Sequence, residues 1–230
     1  MILYRNHTSA RMIPYIDIHT HKSQLSEEVI SVRNCDDETV PETWCSIGIH
    51  PWQSIQVISD NGFIERSMKS LAVKCKLPQV LFIGETGLDA KRGADMEIQK
   101  ELFLRHVELS EQLCKPMIIH CVKAIEEIVA IHKQQHPSQR WLMHGYRKNA
   151  TLANQILRQG IELSFGRYFD AEAMKMAYEA NVLWLETDES GERIEDVYQM
   201  ASEALSVSVE ELKLNIYQRA VQLSSSFRRE

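Results

Sequence analysis

Short apolar runs rich in β-branched residues recur along the chain, and stretches with a helical repeat separate most of them. Their composition predicts strands at about 13–19, 28–33, 44–49, 80–85, 116–120, 140–144, 161–165 and 182–187. Residues 97–112 and their flank place Ile98, Leu102, Leu109 and Leu113 at helical spacing, with charge on the opposite face. Residues 123–134 and 149–159 repeat that pattern, and Gly160 is the expected C-cap of the second. Ser208, with Glu211 three residues on, forms a capping box for a last helix ending near Leu223.

Strands that alternate with helices imply a parallel sheet, and eight of them suggest closure into a single α/β TIM-type (β/α)8 barrel. The link from strand 2 to strand 3 (Cys35–Thr43) is about nine residues long and contains Pro41, too short for an ordinary crossover helix. The expected barrel is therefore slightly trimmed, with a short or missing helix between strands 2 and 3; an open sheet is the alternative. One domain over residues 1–230 is expected, with 1–13 as an N-terminal extension. A chain of 230 residues lies near the lower end for this fold, which typically needs about 250.

Composition adds mostly exclusions. No apolar run approaches the ~20 residues needed to cross a bilayer, and the first fourteen residues lack the apolar core of a secretion signal. A cytoplasmic location without membrane contact is expected. The five cysteines are odd in number and show no CxxC spacing, which argues against a disulfide framework or zinc knuckle. Most are expected to be buried; Cys121, next to His120, is a candidate thiol near a site. The net charge of −6 argues against a protein wrapped by nucleic acid, but bound cations can dominate the field of a local pocket.

The candidate chemistry sits at strand ends. His19 and His21 are two apart, so both side chains face one side of a strand and can grip one ion. Glu85 leaves a buried strand behind a glycine, where a carboxylate costs free energy unless it is paired or coordinated; Asp89 reads better as a helix N-cap acid. His120 and His144 each end an apolar run. Of Glu186 and Asp188, which share a strand face, Asp188 is favoured by its position at the strand end. Alone, His120 and His144 each read as a hydrogen-bonded core residue, and an HxH pair as surface histidines paired by chance. Together, six such groups at one structural level are what a metal-centred hydrolase on a β/α barrel requires.

The ordered stretches DIHTH (Asp17–His21), GIHP (Gly48–Pro51), GETGLD (Gly84–Asp89), Gln99 with Phe103, KPMIIH (Lys115–His120), HG (His144–Gly145), SFG (Ser164–Gly166) and ETD (Glu186–Asp188) carry a resemblance. The chain resembles the TatD-type metal-dependent hydrolases, a branch of the amidohydrolase-like barrels whose members act mainly as deoxyribonucleases. The resemblance implies two divalent ions: His19, His21 and Asp188 on the first, Glu85 bridging, His120 and His144 on the second. It implies hydrolysis of a phosphodiester by an activated water, with Glu85 and Asp188 as the catalytic carboxylates and Asp188 as proton acceptor. Zinc, manganese, cobalt or magnesium would suit this donor set.

The chain departs from the family pattern in three loops. The tyrosine-bearing stretch usual after GLD is here Ala90–Lys91–Arg92, the usual HCFSG is His144–Gly145–Tyr146–Arg147–Lys148, and the usual SPY is Glu189–Ser190–Gly191. Independently of the resemblance, Lys22, Lys91, Arg92, Lys123, Arg147, Lys148 and Arg167 follow strand ends and would ring one mouth, a cradle for a polyanion. His50 is the candidate phosphate contact and Trp52 the candidate base-stacking platform, with core packing the alternative for Trp52. The expected partner is nucleic acid as substrate, DNA above all, or a small phosphoester, acted on by a monomer. Hydrolysis of a small amide or lactone, and a non-catalytic barrel with a vestigial site, are the competing readings.

Overall fold

A computed structural model describes residues 12–22, 26–35 and 40–223. Most of the expected N-terminal extension therefore lies outside the described residues. Eight strands follow in order: β1 (Tyr15–Thr20), β2 (Val29–Cys35), β3 (Cys45–Ile47), β4 (Val80–Asp89), β5 (Met117–Val122), β6 (Trp141–Met143), β7 (Glu162–Phe165) and β8 (Leu183–Leu185). Each pairs in parallel with the next. The circle closes where Thr20 bridges Asp188 and Asp188 N–H donates to His19 O at 3.0 Å. This is the expected (β/α)8 barrel, and it resolves the alternative of an open sheet.

The helices are α1 (Gln56–Ser59), α2 (Phe63–Lys74), α3 (Met96–Leu113), α4 (Ile125–Gln135), α5 (Ala150–Leu157), α6 (Ala171–Glu179), α7 (Ile194–Leu205) and α8 (Val209–Leu223), with a 3-10 turn at Pro51–Ile55. Asn149 caps α5 through its side chain, and Ser208 Oγ accepts from Glu211 N–H at 3.1 Å at the start of α8. Among the described residues, no helix joins β2 to β3, and none joins β1 to β2 either. The second omission extends what the sequence predicts. An extended link of nine residues reaches about 30 Å, enough to return along a strand of roughly 20 Å without a helix.

The outer face of β1 is covered instead by the C-terminal helices. Tyr198 of α7 accepts from Ile16 N–H at 3.1 Å, donates to Ile16 O at 3.2 Å, and meets Tyr15 edge-on at 5.0 Å. From α8, the buried Arg219 donates to Glu162 at 2.8 Å and to the carbonyl of Leu183, with its guanidinium 4.3 Å from the Trp184 ring centre. Fully buried Ile16, Ile18, Ile47, Phe82, Phe103, Trp141, Phe165 and Trp184 belong to one hydrophobic core. No described helix is long and apolar enough to cross a membrane.

Candidate metal centre

The alternation of β1 sends Ile16 and Ile18 to one side and Asp17 and His19 to the other. Asp17 clips the seam: its carboxylate accepts from Thr187 N–H at 3.0 Å and from the Thr187 hydroxyl at 2.7 Å. Burial lifts its pKa to about 7 against those hydrogen bonds. Asp188 follows with φ 53, a left-handed conformation that aspartate tolerates better than most side chains.

Strand β4 is longer than its sequence suggests, running to Asp89 rather than stopping at Glu85. Two glycines allow this. A Cβ at Gly84 would stand 2.3 Å from Ile118 O, and one at Gly87 would stand 2.0 Å from His120 O. The backbones of β4 and β5 thus approach closely enough to bring Glu85 against His120. Asn34 on β2, which has no motif to announce it, holds Glu85 twice: Glu85 N–H donates to Asn34 Oδ1 at 3.0 Å, and Asn34 Nδ2 donates to Glu85 Oε2 at 3.1 Å.

Five histidines and Asp188 gather around this carboxylate, which is only 4 % exposed. Glu85 Oε2 lies 3.5 Å from His19 Nε2 and 3.4 Å from His21 Nε2, and each of those nitrogens is 3.6 Å from Asp188 Oδ1. Glu85 Oε1 faces the other way, 2.8 Å from His120 Nδ1, 2.8 Å from His144 Nε2 and 3.2 Å from His50 Nε2. The carboxylate therefore divides the cluster into two donor sets. His50 joins the second set; the sequence marked it only as a phosphate contact.

The electrostatics favour a cation in this cluster. Burial and His144 push the His19 pKa down, yet Asp188 and Glu85 carry it up to about 9. His144 rises well above its usual range against its burial, drawn by Glu85 and Glu186. Burial favours the neutral form of Glu85 and Asp188, but the surrounding histidines hold Glu85 well below its usual range and Asp188 at about 2. The pocket thus attracts positive charge, and divalent ions are one form that charge can take. Neither ring nitrogen of the fully buried His19 has a hydrogen-bond partner among the described residues, an arrangement costly for a core histidine. Ligands about 2.1 Å from a tetrahedral ion stand about 3.4 Å apart, close to the four histidine-to-carboxylate distances among His19, His21, Glu85 and Asp188. The residues fit divalent metal.

Carboxylates stand behind two of the histidines. Asp89 is not the cap of α3, which begins after Asp95; it lies 3.3 Å from His120 Nε2 and accepts from Trp52 Nε1 at 2.6 Å. Glu186 approaches His144 Nδ1 at 3.5 Å and accepts from Ser164 Oγ. The Asp89 partner fixes which ring nitrogen of His120 is available for a ligand, whereas Glu186 sits near His144 as a charge without a hydrogen bond. Gln99 of α3 pins the loop after β4, accepting from Asp89 N–H at 2.8 Å and donating to the carbonyls of Asp89, Arg92 and Ala94 at 3.0, 2.9 and 2.8 Å. Burial pushes the Cys121 thiol up to about 12, so it is protonated and a poor ligand.

Around the mouth, Trp52 is 41 % exposed and therefore not a core residue, with Arg92 4.4 Å from its ring centre. Arg147 reaches Asp188 Oδ2 at 3.9 Å, Lys148 is exposed, and Arg167 pairs with Glu192. A cavity of about 570 Å³ opens beside Arg33, Asn34, His50 and Trp52. A second, of about 300 Å³, is lined by Lys91, Lys123, Arg147 and Lys148; both share His120, His144 and Asp188.

The family model described as TatD related DNase matches residues 18–223. The chain belongs to the TatD family. Among curated relatives it is 29% identical over 136 residues to an uncharacterized metal-dependent hydrolase of Buchnera aphidicola, covering 58% of this chain and 49% of that protein. It is 30% identical over 109 residues to the 3'-5' ssDNA/RNA exonuclease TatD of a Rahnella strain, covering 47% of this chain and 39% of that protein. The matches thus span about half or less of these relatives. The crystal structure of YjjV, a TatD homolog from Escherichia coli K12, aligns with a TM-score of 0.75 at 16% identity, over 93% of this chain and 99% of that one. A TatD family hydrolase from Entamoeba histolytica aligns with a TM-score of 0.73 at 15% identity, over 91% and 97%. At these identities the structural likeness bears on the fold.

Proposed function

We propose that this TatD-family chain is a metal-dependent hydrolase that cleaves phosphodiester bonds, with DNA as its substrate. The observation that carries this reading is the divided Glu85 carboxylate, one oxygen toward His19 and His21, the other toward His120 and His144. His19, His21 and Asp188 would hold one divalent ion, His120 and His144 a second, with Glu85 between them. When bound, such ions supply Lewis acidity toward a phosphoryl oxygen and a water activated at neutral pH.

The chain's own residues do the rest. Asp188, ionised at neutral pH, accepts the proton given up by the attacking water; its Oδ1 lies 3.6 Å from His19 and His21 and its Oδ2 3.9 Å from Arg147. Asn34 and Asp89 keep Glu85 and His120 in place before substrate arrives, which lowers the reorganisation needed during reaction. His50 lies within reach of a phosphate oxygen at the same centre, and Trp52 with Arg92 offers a face for a base. Arg147 and Lys148 add positive charge to the rim, while that of Arg167 is offset by Glu192. The relatives named as ssDNA/RNA exonucleases agree with a nucleic acid substrate.

A screen of divalent metals against single-stranded DNA, duplex DNA and small phosphodiesters, run beside Glu85→Ala and Asp188→Ala, tests this reading. Divalent-dependent cleavage of DNA, abolished by both substitutions, is expected. Equal turnover by the variants, or a purified chain without stoichiometric metal or a metal-dependent thermal shift, refutes it.

A further inference from the structure

Two of the three loops that differ from the pattern the sequence resembles help to line the smaller basic cavity. Lys91 comes from the loop after β4, Arg147 and Lys148 from the loop after β6, and Lys123 completes the ring from the end of β5. At its edge, on the loop after β7, stands Tyr168, an aromatic ring left 62 % exposed. The Arg147 guanidinium lies 5.8 Å from its ring centre and that of Arg167 5.4 Å, while Arg147 also reaches toward Asp188. Arg167 is paired with Glu192, so Arg147 and the three lysines carry the less committed charge.

This arrangement has a counterpart across the barrel. Trp52, with Arg92 at 4.4 Å, follows β3, whereas Tyr168 follows β7. Four strands apart in a ring of eight is the opposite side of the mouth. The histidine and carboxylate cluster lies between the two aromatic groups, and each of the two cavities touches it. An exposed tyrosine beside guanidinium groups is the usual form of a sequence-tolerant stacking platform for a nucleobase, and a lysine-lined cavity beside it suits a backbone phosphate.

We propose that Tyr168 and the cavity ringed by Lys91, Lys123, Arg147 and Lys148 form a second nucleotide subsite, on the opposite side of the scissile phosphodiester from Trp52. The inference rests on the nuclease reading above and narrows it. The base of one flanking nucleotide stacks on Tyr168 while the next phosphate enters the basic cavity. Two platforms on opposite rims require bases splayed out of a helix, so the substrate is single-stranded.

The test uses the full chain and an eight-residue oligothymidylate. Binding is followed by fluorescence anisotropy in EDTA, and cleavage by the manganese-loaded protein. Tyr168→Ala is expected to weaken binding by roughly five- to a hundredfold, with Tyr168→Trp retaining it. Combined Lys91→Gln and Lys148→Gln is expected to flatten the slope of log K against log salt by about 0.7 for each phosphate no longer neutralised. Wild-type binding by Tyr168→Ala, or an equal loss in Tyr168→Trp, overturns the subsite while leaving the nuclease reading standing if the wild-type protein cleaves the strand. A wild-type protein that neither binds nor cleaves it overturns both.

Discussion

Replacing Gln99 with leucine tests how the rim of the site is held. Gln99 is 2 % exposed, and its carboxamide serves four backbone groups of the loop after β4. Its NH2 has two protons for three carbonyls, so the set amounts to about three full hydrogen bonds. At roughly 1 kcal/mol net each, their loss costs about 3 kcal/mol. The buried Asp89 N–H then has no acceptor, which adds on the order of 1 kcal/mol, whereas the Arg92 carbonyl can turn to water. The total of about 4 kcal/mol corresponds to a fall in melting temperature of roughly 10 °C for a chain of this size. Urea denaturation gives the free energy, and amide exchange across residues 89–94 shows whether the loss is local. The loop also carries Arg92 and, through Asp89, the Trp52 hydrogen bond, so protection there is expected to fall further than in β1 or β8. A change below 1 kcal/mol, with exchange unaltered, would refute this account of the loop.

Other expectations follow from neighbouring groups. Glu162→Ala leaves the Arg219 guanidinium buried without its partner and is expected to cost about 3–5 kcal/mol in urea denaturation; a loss under 1 kcal/mol would show the pair to be dispensable. Asp89→Asn is expected to weaken metal binding about 10- to 100-fold in competition with a chelator, because His120 loses its carboxylate partner; unchanged affinity would remove Asp89 from that role. His106 accepts from Ile49 N–H at 2.9 Å, and its Nδ1 lies 2.7 Å from Leu102 O; burial lowers its pKa to about 4 despite that second interaction. The neutral ring is required for this fit, so its contribution is complete above the unfolded value of about 6.5 and declines as pH falls from there toward 4. The loss is on the order of 3 kcal/mol over that window, and His106→Gln is expected to flatten the wild-type stability profile there; parallel profiles would contradict it.

Much of this architecture was legible because it follows local periodicity. All eight strands appear as apolar runs, and His19, His21, Glu85, His120, His144 and Asp188 stand out as polar groups at their ends. Residues that act through a distant partner gave no such signal. Asn34 is an ordinary polar residue until β2 is laid against β3 and β4 and its amide meets Glu85 across 51 positions of sequence. Asp89 read as a helix cap because carboxylates commonly precede helices, yet Gly87 lets β4 continue beside β5 and carries Asp89 to His120. Glu186 looked like a rival to Asp188, but the two carboxylates divide the work: one faces His19 and His21, the other stands behind His144. The link between β1 and β2, eight residues long and without a helix among the described residues, was as legible by its shortness as the next one; it lacks only the proline that drew attention to the other.

The seam between β1 and β8 has a consequence for biosynthesis. His19 and His21 leave the ribosome about 170 residues before Asp188, and they meet only when the circle of strands is shut. If these residues hold metal as proposed, a nascent chain offers only an incomplete ligand set, and full-strength metal capture is expected late in maturation. In refolding experiments, uptake of a reporter ion is expected to lag behind the recovery of helical signal.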